Sequence, residues 1–84
     1  MKTLAMGETS LTDAVAELIE SLHQKFPGVI TKKIPQIEDE DFAIEVAVPS
    51  SYSLEDAESW SHKECIRLEY KYNVYILPLV IKKH

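Results

Sequence analysis

The stretch Asn73–Val74–Tyr75–Ile76–Leu77–Pro78–Leu79–Val80–Ile81 sets the terms for the rest of the chain. It is the densest apolar run, rich in β-branched and aromatic residues, and about as long as one strand. A strand with one wet face alternates apolar and polar residues. This run does not alternate: Val74, Ile76 and Val80 point one way, and Tyr75, Leu77, Leu79 and Ile81 the other. Both faces of its sheet therefore need cover, yet a chain of 84 residues supplies helices for one face only. A second molecule over the other face is expected.

The rest of the composition narrows the class. Apolar residues make up 45% and charged residues 27%, too apolar for a disordered chain and ordinary for one small domain. A net charge of −5 argues against the phosphate-tracking surface of a nucleic-acid binder. The single Cys65 allows neither an internal disulfide nor a paired-cysteine zinc or redox motif, which favours a reducing, cytoplasmic setting. No apolar run reaches membrane-spanning length, and the first residues lack the apolar stretch of a signal peptide. The expectation is a soluble cytoplasmic domain with neither nucleic acid nor membrane as partner.

Along the chain, residues 1–9 show no periodicity and read as a flexible arm ahead of a single domain over 10–84. Ser10 resembles a helix cap, with Asp13 near the positive end of the helix dipole. Leu11, Val15, Leu18, Ile19, Leu22 and Phe26 then fall on one helical stripe, with Glu17, Glu20, Ser21, Gln24 and Lys25 on the wet side. Phe26–Pro27–Gly28 stops that helix. Val29–Ile34 reads as a strand with Ile30, Lys32 and Ile34 on one face. The acidic run Glu38–Asp39–Glu40–Asp41 lacks the alternate spacing and turn glycine of a calcium loop, and reads as a solvated loop tip. Phe42–Val48 alternates cleanly, with Phe42, Ile44, Val46 and Val48 facing the core and Ala43, Glu45 and Ala47 facing away.

Ser53 with Asp56 opens a second helix, whose inner stripe is Leu54, Ala57, Ser61, Cys65, Leu68 and Tyr72. Trp60 sits at the border of that stripe, while Ile66 and Tyr70 lie well off it and suggest a contact surface. Asn73 suits the helix end. The order is therefore αββαβ: a two-layer α+β sandwich in which a three-stranded mixed sheet carries both helices on one face. Residues 42–81 form a right-handed crossover with parallel strands. Pro78 cannot donate to a ladder, which places the last strand at an edge or forces a bulge.

Residues quoted above resemble the cytoplasmic C-terminal domain of cation diffusion facilitator transporters. The resembling residues are Phe26–Pro27–Gly28–Val29, Glu45–Val46–Ala47–Val48, Ser53–Leu54–Glu55–Asp56–Ala57 and Val74–Tyr75–Ile76, within a span of roughly residues 11–81. The resemblance implies a ferredoxin-like, metallochaperone-like fold and a homodimer. That family often has His directly after the alanine that here is Ala57, whereas this chain has Glu58. Its last strand commonly ends in a His- and acid-containing ligand motif, where this chain runs Leu77–Pro78–Leu79–Val80. The fold and the dimer carry over as expectations, and most of the metal site does not.

Candidate chemistry is sparse. Glu58 and His62 lie four apart on a helix and can share a divalent ion such as zinc, with His84 or Cys65 as further ligands. Cys65 near His62 has the outline of a nucleophile pair, but Cys65 lies on the inner stripe, and no orienting group or oxyanion donor is evident. Two glycines separated by a helix cannot build a phosphate cradle. The leading expectation is a non-catalytic interaction or regulatory module without a cofactor, acting as a homodimer or with another protein. Its interface would draw on Trp60, Ile66, Tyr70, Tyr75, Leu77, Leu79 and Ile81. The alternatives are a metal-responsive or metal-carrying domain and a small enzyme whose active site forms between chains.

Overall fold

The computed structural model of the chain describes residues 4–83, with side-chain surroundings from Ser10 onward. Its elements are α1 (Leu4–Lys25), β1 (Ile30–Ile34), β2 (Phe42–Val48), α2 (Leu54–Tyr72) and β3 (Ile76–Lys82). The sheet order is β1-β2-β3, with β1 antiparallel and β3 parallel to the central β2. The expected αββαβ two-layer architecture is the one observed. Leu18 and Leu22 of α1, Phe26 just after it, Ala57, Cys65 and Leu68 of α2, Ile44, Val46 and Val48 of β2, and Ile76 and Val80 of β3 share one core cluster. Since these strand residues all lie on one side of the pleat, both helices cover that side and leave the other bare.

α1 begins at Leu4, so Ser10 lies inside the helix and is not its cap. The expected arm over residues 1–9 is thus helical from Leu4, and residues 1–3 lie outside the described residues. The apolar stripe alone could not find this start, because the first turns of a helix need not face a core. Ala14, missing from the expected stripe, is fully buried, while Leu11, Val15 and Ile19 are only half-buried. A small residue lets the helix axis approach the sheet, and its larger neighbours then lie on the flank. The helix ends as expected. Val29 N–H donates to the Phe26 carbonyl, and Gly28 holds φ +93°. A Cβ there would sit 3.1 Å from Pro49 Cγ, so the turn needs glycine for backbone and for space alike.

α2 starts and stops as its sequence predicts. Ser53 Oγ accepts from Asp56 N–H at 3.3 Å. Asn73 takes the left-handed conformation at φ 58°, ψ 44°, and its N–H donates to Glu69 O. Ala57, Ser61, Cys65 and Leu68 are buried on the inner stripe, but Leu54, in the first turn, is 38% exposed. Ser61 Oγ is buried without a hydrogen-bond partner among the described residues.

β3 is an edge strand, and Pro78 explains why it tolerates that place. Lys83 N–H donates to Val48 O, and Tyr75 O accepts from Phe42 N–H. Backbone polar groups alternate sides along a strand, so odd-numbered residues of β3 bond to β2 and the nitrogen of Pro78 faces the free edge. No ladder bond is lost and no bulge is required.

Candidate functional site

The bare side of the sheet carries exposed apolar side chains that no element of the chain covers. Strand register lays it out in three rows: Ile34–Ala43–Leu77, Lys32–Glu45–Leu79 and Ile30–Ala47–Ile81, each read from β1 across β2 to β3. Apolar side chains make up the outer rows, and the middle row sets Lys32 opposite Glu45. Ile30 is 56% exposed, Leu79 44% and Ile81 38%, so this face is wet apolar surface. Ala43 is buried although it stands apart from the helix-side core cluster, because its short side chain lies between the larger Ile34 and Leu77. Ala43 and Ala47 are the small positions of the central strand, with Glu45 standing between them.

The two ends of this face differ in charge. At one end Tyr75 and Asp41 exchange hydrogen bonds: Tyr75 N–H donates to Asp41 Oδ2, and Asp41 N–H donates to Tyr75 O, both 2.8 Å. The neighbouring acidic turn is built and only partly solvated, which corrects the sequence expectation. Glu38, Asp39 and Asp41 are exposed, but Glu40 is fully buried, its carboxylate accepting from the N–H groups of Ile37 and Glu38. The Ile37 bond is the main reason that its carboxyl is held below the usual range. Burial, then Glu38, Glu40, Glu69 and Asp39, raise the Tyr75 hydroxyl above its ordinary value. At the other end, Lys83 continues the line Leu79, Ile81 and donates from Nζ to Gly28 O at 2.8 Å.

The expected interface residues do not form one patch. Leu77, Leu79 and Ile81 belong to the bare face, and Tyr75, 38% exposed, adjoins its acidic end. Ile66 and Tyr70 are 52% and 86% exposed on the outer side of α2, in the other layer. Trp60 is half-buried, and its ring meets Phe26 edge-on at 5.6 Å while Tyr52 meets the same ring at 5.1 Å. That aromatic trio closes one end of the domain's own core.

Glu58 and His62 are exposed, Cys65 is buried beneath them, and His84 lies outside the described residues. Among the described residues no group of three His, Cys, Asp or Glu side chains converges on a point where an ion could sit. Burial, with a smaller contribution from Glu64, pushes the Cys65 thiol up to about 12, so it stays protonated at neutral pH.

Two features escaped the sequence. Glu17, assigned to the wet side of α1, gathers three groups of α2: Tyr72 Oη at 2.7 Å, Arg67 at 2.8 Å and Lys71 at 3.1 Å. Arg67 also bonds Glu64 of its own helix. The i, i+4 spacing of Arg67 and Lys71 was visible, but their partner lies fifty residues away and depends on how the helices pack. The second feature is an apolar groove of about 370 Å³ beside α1, lined by Leu11, Thr12, Val15, Ala16, Ile19 and Phe42. Leu11, Val15 and Ile19 in that lining are the half-buried flank of the stripe that the sequence assigned to the core.

Compared with known proteins, the chain matches no family model, no curated protein and no solved structure. No described helix is long and apolar enough to cross a membrane. Fold and site define the class: a small two-layer α+β domain with one uncovered sheet face.

Proposed function

We propose that this chain is a small non-catalytic interaction module that works as a homodimer, its copies meeting through the bare sheet face. One observation carries the reading: Ile30, Leu79 and Ile81 lie exposed on a continuous face whose central strand presents Ala43, Glu45 and Ala47. Covering apolar surface contributes roughly 25 cal/mol per Å². Ala43 and Ala47 allow close approach on either side of Glu45, and the Leu and Ile columns supply the contact area. Three strands about 4.8 Å apart, rising about 3.3 Å per residue, give a seven-residue face of roughly 350 Å² in projection. An interface of that size belongs to the reversible class, so assembly depends on concentration. The lone, buried Cys65 fits a reducing, cytoplasmic setting.

Sedimentation velocity across a concentration series tests the reading. The wild-type chain is expected to be dimeric at high micromolar concentration, and Leu79→Asp to be monomeric with an unchanged circular dichroism spectrum. Leu79 is already exposed, so a charge there spares the monomer while opposing burial. A wild-type chain that remains monomeric throughout contradicts the proposal.

A further inference from the structure

The charge asymmetry of the bare face bears on how two copies would meet. Resting on the self-association reading above, we propose that the copies stack face to face with antiparallel strands. The two-fold axis crosses the strands near Leu79, so that Lys83 of each copy lies against the acidic corner around the partner's Tyr75.

Three observations lead there. First, edge-to-edge pairing through β3 is blunted, because Pro78 presents a nitrogen without a proton to the free edge. The face is left as the route to association on that side. Second, the two ends of the face carry opposite charge. Glu38, Asp39 and Asp41 are exposed at the Tyr75 end, and Lys83 closes the other. A two-fold axis parallel to the strands lays acidic turn over acidic turn. An axis across the strands lays each acidic corner against the partner's Lys83, twice per dimer by symmetry. The same axis lays Lys32 over the partner's Lys32 and Glu45 over the partner's Glu45, a cost that is offset because each Lys32 also lies one strand away from the partner's Glu45. Third, the antiparallel arrangement matches the apolar relief. It sets Leu77 against the partner's Ile81, Ala43 against the partner's Ala47, and Leu79 beside its own copy at the axis. Lys83 then reaches the ring of the partner's Tyr75, within the field of the carboxylates that surround it.

Charge exchange between two variants tests this geometry. Variant one is Lys83→Glu and variant two is Glu38→Lys with Asp39→Lys. Each alone turns both symmetric contacts repulsive, while an equimolar mixture makes both attractive again. Each variant is expected to weaken its own association about tenfold at low salt, and the mixture to return to the wild-type value as a heterodimer. Lys83→Met removes the tie to Gly28 O without adding repulsion, and is expected to weaken association much less than Lys83→Glu. Thermal melts check that every variant is folded. Variants that dimerise like wild type, a mixture that restores nothing, or Lys83→Met matching Lys83→Glu would each overturn the antiparallel geometry while leaving a wild-type dimer standing. A monomeric wild type overturns the self-association reading and this geometry with it.

Discussion

The Tyr72 hydroxyl donates a 2.7 Å hydrogen bond to Glu17 Oε1, tying the last turn of α2 to the middle of α1. Arg67 and Lys71 converge on the same carboxylate from the same helix. The Tyr72 bond, then Arg67, then Lys71 lower the Glu17 carboxyl from its ordinary 4.5 to about 2.

A pH dependence follows from that shift. Glu17 binds its proton more weakly in the folded chain than in the unfolded one, so its stabilising contribution is complete above about 4.5 and is lost as pH falls towards about 2. Thermal melts between those values are expected to show a declining melting temperature in the wild type. Glu17→Gln is expected to melt lower at neutral pH and to decline less steeply. Parallel curves for the two proteins would contradict the clasp.

Cys65 is a packing residue in this account. It is 5% exposed on the inner stripe of α2, and its thiol is pushed up to about 12. Cys65→Ala is expected to cost about 1 kcal/mol by chemical denaturation and to leave association unchanged. A thiol reagent is expected to label the native protein slowly and the unfolded protein fast. Native labelling faster than that of a free thiol at neutral pH would return Cys65 and His62 to the list of candidate reactive groups.

The elements whose sequence signals are local were legible. Ser53, Asn73 and Gly28 each mark an element boundary through their own backbone chemistry, and the alternation of Phe42–Val48 names the buried face of the central strand. The apolarity of β3 on both sides, Ile76 and Val80 on one and Leu77, Leu79 and Ile81 on the other, marks a bare face in the sequence itself. What stayed hidden depends on long-range placement. Glu17 reads as solvated until α2 lies beside it, and Glu40 reads as a loop carboxylate until the turn folds its oxygens onto the Ile37 and Glu38 amides. Trp60, Ile66 and Tyr70 all read as surface apolar residues. Phe26, distant in sequence, holds one of them, Trp60, half-buried against the core.

Zinc titration calorimetry separates the module reading from the metal-responsive one. Glu58 and His62 are exposed, and no third described ligand group joins them. The expected result is no saturable binding at micromolar zinc. Saturable binding that is lost in His62→Ala would contradict the module reading and revive the transporter-domain resemblance as a guide to function.

The most direct test of the central claim is a concentration series of two-dimensional amide NMR spectra, which reports which surface is covered as the chain associates. The account predicts concentration-dependent shifts along Ile30–Ile34, Ala43–Ala47 and Leu77–Ile81, with Ile66 and Tyr70 unmoved. Spectra independent of concentration, or shifts confined to the outer side of α2, would contradict it.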